Sequence, residues 1–146
     1  MTYHRHDRVD RWLAEERLTH LIIGAFYRVY NQLGFGYLEH VYVAALELEL
    51  LRLELRVSRE YWVRIYYDGV ELCQQRLDFV VEEKVVIEIK STLHLHRGAH
   101  RQLLNYLRGT NLEVGLLLHF GPEAKFYRFY APNGNKLRRR NPSQSG

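Results

Sequence analysis

The sequence predicts an α/β or α+β domain, a sheet with helices packed on its faces. Three observations predict it. Apolar residues recur at three- and four-residue steps across residues 9–55, the period of amphipathic helices. Across 57–91 the pattern changes to alternation, rich in aromatic and β-branched residues, which is strand chemistry. A short helical pattern over 99–108 then precedes a nearly continuous apolar run over 112–120, as expected of a strand covered on both sides. Strands with helices on their faces bury both kinds of apolar surface at once.

Each element has its own justification. The first helix is expected over 9–33, with Leu18, Ile22, Ala25, Phe26, Val29 and Leu33 as its stripe and Gly34 as its stop. A second is expected over 37–55 through Val41, Ala45, Leu48 and Leu51. Leu38, Tyr42 and Leu46 make it apolar over much of its girth, which predicts a central position. Glu39 falls in its first turn, where the helix dipole favours an acid. Residues 57–91 read as a three-stranded antiparallel meander, with Asp68-Gly69 as a two-residue hairpin turn. Its strands are expected near 57–67, 70–81 and 85–91. His94 and His96 lie in the following link. With no third ligand in sight, they read as solvent-facing rather than metal-binding. The helix over 99–108 buries Ala99, Leu103 and Leu107, and stacks Gln102 and Tyr106 on one side. Gly109 ends it, and after the apolar strand Gly121-Pro122 turns the chain into a last strand over 125–130.

The chain has 146 residues, one domain by length, and a chain of this size buries roughly 70% of its unfolded surface. The single cysteine, Cys73, excludes an internal disulfide and argues against a cysteine-based zinc site. No apolar run has the length of a membrane span, and the polar start carries no signal peptide; a cytoplasmic location is expected, with no membrane partner. Lys136, Arg138, Arg139 and Arg140 lie in a C-terminal stretch without acids and account for the formal net charge of +4. The expected division is one domain over 1–131 and a basic tail of disordered composition over 132–146. Such a tail can hold phosphates or simply be solvated.

The sharpest chemical signal is the stretch Arg76-Leu77-Asp78-Phe79-Val80-Val81 and its return through Val85-Val86-Ile87-Glu88-Ile89-Lys90. Strict alternation puts Leu77, Phe79, Val81, Val85, Ile87 and Ile89 on one face, and Arg76, Asp78, Glu88 and Lys90 on the other with Val80 and Val86. A three-residue turn at Glu82-Glu83-Lys84 would pair Val81 with Val85 and bring Asp78 opposite Glu88, their β-carbons roughly 5 Å apart. Two facing carboxylates repel, and a divalent cation with oxygen ligands, Mg²⁺ or Mn²⁺, would remove that cost. The alternative is a cross-strand ladder in which Arg76 and Lys90 neutralise the two acids on a solvated face.

This arrangement of Asp78 with Glu88-Ile89-Lys90 resembles the PD-(D/E)xK nuclease superfamily, whose core is αβββαβ. A closer resemblance is to the small prokaryotic GxxExxY family. Its naming motif stands as Gly36-Tyr37-Leu38-Glu39-His40-Val41-Tyr42, followed by Arg76-Leu77-Asp78-Phe79, Glu88-Ile89-Lys90, Gln102-Leu103-Leu104-Asn105-Tyr106 and Gly115-Leu116-Leu117-Leu118-His119-Phe120-Gly121. The similarity covers roughly 15–130. The fold it implies is a PD-(D/E)xK-like core, a mixed sheet flanked by helices, with an extra N-terminal helix and a C-terminal strand. It implies that Asp78, Glu88 and the Ile89 carbonyl bind Mg²⁺ or Mn²⁺, with Glu39 as a further ligand. It implies that Lys90 serves the attacking water or the developing charge, and that Gln102 and Tyr106 line the opposite wall. Three departures stand out: Leu77 replaces a proline, Ala99 replaces a histidine with His100 one residue later, and His119 replaces an asparagine.

The expected function is therefore a metal-dependent nuclease hydrolysing phosphodiester bonds of DNA, or else of RNA. The rival is a non-catalytic nucleic-acid-binding or protein-interaction module on the same fold. Nucleic acid is the expected partner. The edge position of the aromatic strand over 61–67 points to a homodimer, and the minimal chain points to a partner protein that supplies specificity.

Overall fold

A computed structural model describes residues 4–59 and 61–136. Two helices lead, α1 (His4–Leu33) and α2 (Glu39–Arg52), followed by β1 (Val57–Ser58), β2 (Trp62–Tyr67), β3 (Val70–Arg76), β4 (Phe79–Val81) and β5 (Val85–Lys90). Then come α3 (Arg97–Arg108), β6 (Val114–Phe120), β7 (Ala124–Tyr130) and one 3₁₀ turn, Asn133–Asn135. The main sheet has the order β1-β4-β5-β6-β7, and β2 pairs with β3 in a second, two-stranded sheet. The β5–β6 pair is parallel and its neighbours are antiparallel. The sheet is thus mixed, and α3 is the crossover between its parallel strands.

Two apolar cores lie on opposite faces of the main sheet. On one, Phe26 of α1 and Tyr42 and Leu46 of α2 pack against Phe79, Ile87, Ile89, Leu118 and Phe120. On the other, Leu103 and Leu107 of α3 pack against Val80, Val86 and Leu117. The strands β4, β5 and β6 are buried along almost their whole length, because both faces are covered. Gly115 sets the approach of α3, since a β-carbon there would stand 3.1 Å from Leu103 Cδ1 and 3.2 Å from Leu107 Cδ1. Among the described residues no helix is long and apolar enough to cross a membrane.

The three-stranded meander expected over 57–91 is replaced by two sheets. The long strand expected over 70–81 breaks at Leu77 and Asp78, where β3 ends and β4 begins. The Leu77 N–H donates to the Tyr61 carbonyl (2.9 Å), and the Asp78 N–H donates to the Glu88 carboxylate (3.3 Å). Neither joins the ladder to β5. The break shifts the alternation by one: Leu77 packs in the α3-side core beside Val80 and Val86, not with Phe79 and Val81. Beyond the break the expected register holds, with Val81 opposite Val85 and Phe79 opposite Ile87.

Helix boundaries also differ. The second helix stops at Arg52, and Glu54 takes a left-handed φ of 60°. The third starts at Arg97, capped by His96, whose Nδ1 accepts from the Gly98 N–H at 2.9 Å. The described chain continues beyond 131. Lys136 Nζ donates to the carbonyls of Thr110 (2.8 Å) and Leu112 (2.7 Å) and to Asn133 Oδ1 (2.6 Å). The rest of the basic tail, 137–146, lies outside the described residues.

Candidate active site

The register that pairs Phe79 with Ile87 carries Asp78 to the position opposite Glu88. The two acids are interlocked through main chain. Asp78 Oδ2 accepts from the Ile89 N–H at 2.8 Å, and Glu88 Oε1 accepts from the Asp78 N–H at 3.3 Å. Glu88 is 9% exposed. Burial, then the facing Asp78 charge, push its carboxyl up to about 8. Asp78 is half-buried. Burial raises its carboxyl as well, opposed by the Ile89 N–H and by the charges of Lys90, Arg59 and Arg76.

The cross-strand ladder does not form. Among the described residues, none of the ion pairs involves Asp78, Glu88, Arg76 or Lys90. Arg76 Nε instead donates to the Arg59 carbonyl at 2.7 Å. Lys90, at the end of β5, is half-buried, and its charge acts on Asp78, Glu88 and Glu39 alike.

Glu39 opens α2 and faces the same cavity as Lys90. The residue is exposed overall, but its carboxyl is raised by partial burial and then by Asp78, and lowered by Lys90. Two anchors hold the loop that places it. Tyr42 Oη donates to the Gly34 carbonyl (2.6 Å) and accepts from the Tyr37 N–H (3.2 Å). Ser91 Oγ, one residue past Lys90, donates to the Tyr37 carbonyl at 2.5 Å. Tyr42 is itself fixed by stacking on Phe120, centroids 4.1 Å apart. Gly36 has φ +115°, a conformation that favours glycine. The glycine, the glutamate and the tyrosine of the first motif thus have three jobs: turning the chain, facing the cavity, and clamping the turn.

The opposite wall is α3. Gln102 and Tyr106 both line the cavity. The Tyr106 hydroxyl donates to Gln75 Oε1. It is pushed up by burial and then by the Glu88 charge, against a hydrogen bond with Gln102. Gln75 is a site residue that sequence reasoning missed. Strict alternation across 70–81 sets it opposite to Asp78; the break at Leu77–Asp78 brings both to the α3 side.

The histidine departures resolve differently. Ala99 is buried against the cavity. The His100 ring packs on Tyr127 and Phe129 of β7, centroids 4.5 and 5.5 Å away, so it does not stand in for a histidine at 99. His119 is opposite Lys90 in the β5–β6 register, and its Nε2 bonds the Thr92 carbonyl at 2.8 Å. His94 and His96, read as solvent-facing, also line the cavity. Among the described residues no three His, Cys, Asp or Glu side chains form a ready cluster of metal ligands; the acidic donors in direct register are Asp78 and Glu88.

The family model described as the PD-(D/E)XK nuclease superfamily matches residues 16–129. No curated protein matches. The crystal structure of SSO0001 is similar at 25% identity and a TM-score of 0.52, over 64% of this chain and 50% of that one. The chain therefore spans about half the length of that relative.

Proposed function

Because the chain belongs to the PD-(D/E)XK nuclease superfamily, we propose that it is an Mg²⁺- or Mn²⁺-dependent nuclease that hydrolyses phosphodiester bonds of DNA, and that within the superfamily it is a GxxExxY protein. One observation carries the reading: two carboxylates are held opposite each other with no ion-pair partner among the described residues, beside a lysine that also makes none there. Main-chain N–H groups and nearby cations compensate the pair only in part, since both carboxyls stay raised. A hard cation with oxygen ligands fits it, and burial that holds a proton on Glu88 in the free protein is a cost that such an ion removes. Asp78 and Glu88 would hold the ion, with the Ile89 carbonyl and Glu39 as further oxygen donors. When bound, it supplies charge neutralisation at the phosphate and an acidified water.

The chain's own groups do the rest. The Ile89 N–H fixes Asp78, so that carboxylate is oriented before any ligand arrives. Lys90 orients the attacking water and meets the negative charge that develops on the phosphoryl oxygens. Gln102 and Tyr106 shape the facing wall, and Tyr106 is held by Gln75.

The test is cleavage of labelled DNA and RNA with Mg²⁺ or Mn²⁺ and then with chelator, for wild type and Lys90→Ala. Metal affinity of the variant should be kept, because both carboxylates remain. Cleavage should fall roughly a hundredfold, the loss of one electrostatic stabiliser, while DNA binding falls much less. Equal losses of binding and cleavage would reduce Lys90 to a phosphate contact. Absence of cleavage by the wild type on every substrate and metal would leave the non-catalytic binding module.

A further inference from the structure

The cavity lined by Glu39 and Lys90, which Asp78 and Glu88 do not themselves line, continues between a hairpin and α3, and that part is built unlike a phosphate-binding surface. One wall is the β2–β3 hairpin, which contributes Val63, Ile65 and Gln75. The other is α3, which contributes Gln102, Asn105 and Tyr106. The walls converge at Gly109, where a β-carbon would lie 3.8 Å from Val63 Cγ1. The whole space is about 860 Å³, within the roughly 300–1,000 Å³ of small-molecule sites. Among the described residues, Lys90 and Arg101 are the only lysine or arginine in its lining.

A surface that follows a nucleic-acid backbone is rich in cations. Carboxamides, a phenol and aliphatic side chains match something else. Carboxamides pair with the donor and acceptor edges of bases, and flat or aliphatic surfaces cover their faces. The Gln75 oxygen accepts from Tyr106, which leaves its NH₂ to donate to a base.

We propose that this pocket takes one unpaired nucleobase of the strand whose phosphate lies at Asp78 and Glu88, so that the substrate is single-stranded or locally unpaired beside the cut. The inference rests on the nuclease reading for the position of the phosphate, and on the pocket's lining for the base. A base still in a duplex has its pairing edge and its faces occupied, and must leave the stack before two walls can hold it.

The experiment uses the full chain and a 15-nucleotide strand, bare or fully paired, with one abasic site moved along it. Binding is read by anisotropy with Asp78→Asn, which halts cleavage, and cleavage with the wild type. At one position near the cut, loss of the base should weaken binding to the single strand about tenfold, on the scale of one stacked base. Adding Ile65→Trp, which fills the pocket, should erase that difference, and Asn105→Ala should reduce it should the tryptophan variant not fold. No abasic penalty at any position, or no binding to any strand, overturns the pocket. Equal cleavage of duplex, abasic and intact single strands overturns it while leaving the nuclease reading intact. An abasic penalty without cleavage of any strand by the wild type overturns the nuclease reading and leaves the pocket.

Discussion

Glu88 is a carboxyl whose environment favours the proton, and that fixes the sign of a pH effect. Its folded value of about 8 lies above the ordinary 4.5. In the metal-free protein the folded state therefore holds a proton that the unfolded chain has released across that window. Stability is highest below the ordinary value and falls as pH rises towards 8, with a limiting slope of about 1.4 kcal/mol per pH unit. Urea unfolding in chelator from pH 5 to 8 should show this decline, and Glu88→Gln should flatten it. Mn²⁺ affinity should run the other way, rising with pH across the window and levelling above it, because ion and proton compete for the same oxygens. Asp78 predicts a contrast between two substitutions. Asparagine keeps an oxygen for the Ile89 N–H, so Asp78→Asn in chelator should be as stable as the wild type or more so. Alanine orphans that N–H, and Asp78→Ala should be less stable by about 1–2 kcal/mol. A large loss for asparagine would mean that the two acids stabilise the fold. At this scale the acids and the lysine were legible in the sequence, because alternation from Phe79 to Lys90 is unbroken. Gln75 was not. Its face depends on where the Asp78 N–H goes, and the acceptor, Glu88, is ten residues away in the chain.

Among the elements, the loop before α2 determines where Glu39 sits, and its anchors are testable. Tyr42→Phe removes the bonds to Gly34 and Tyr37 while keeping the ring on Phe120. It should cost about 1–2 kcal/mol in urea unfolding and speed amide exchange across residues 34–38. An unchanged exchange pattern would show that Ser91 alone holds the loop. Gly115→Val should cost about 1–3 kcal/mol by overpacking against Leu103 and Leu107. Helix periodicity made all three helices legible, though not their ends. Leu38 precedes α2 without a side-chain cap, so the acid Glu39 in the first turn is a weaker local signal than a capping residue would be. His96 caps α3, and histidine is not among the residues that ordinarily mark a helix start. The strand over 70–81 was read as continuous because Leu77 suits a buried site on either face. Only the position of α3 decides which face it takes.

For the whole molecule, the cavity opens at the carboxyl end of β5, where Lys90 and Thr92 line it and Thr92 is tied to β6 through His119. Ligands of α/β sheets commonly bind at such ends. The tail adds a long-range term. Lys136 is already bound to three chain oxygens, so the cations left for phosphate are the arginines beyond it. Deleting 137–146 should weaken non-specific DNA binding and make its salt dependence shallower, with Tm unchanged. A fall in Tm would mean that the deleted residues pack on the body. Among the described residues the strand β2 pairs on one side alone, with β3, and Trp62 and Tyr67 are exposed. Light scattering should therefore find a homodimer, and a monomer at high concentration would end that assignment.

The break at Leu77–Asp78 also bears on how such a protein can change over generations. Among the described residues the hairpin β2–β3 forms a sheet of its own, while Asp78, Glu88 and Lys90 are registered by β4, β5 and β6. Lengthening, shortening or re-surfacing the hairpin leaves that register untouched. Descendants can therefore vary what the cavity admits without disturbing the carboxylates, and the two properties can be inherited and selected separately.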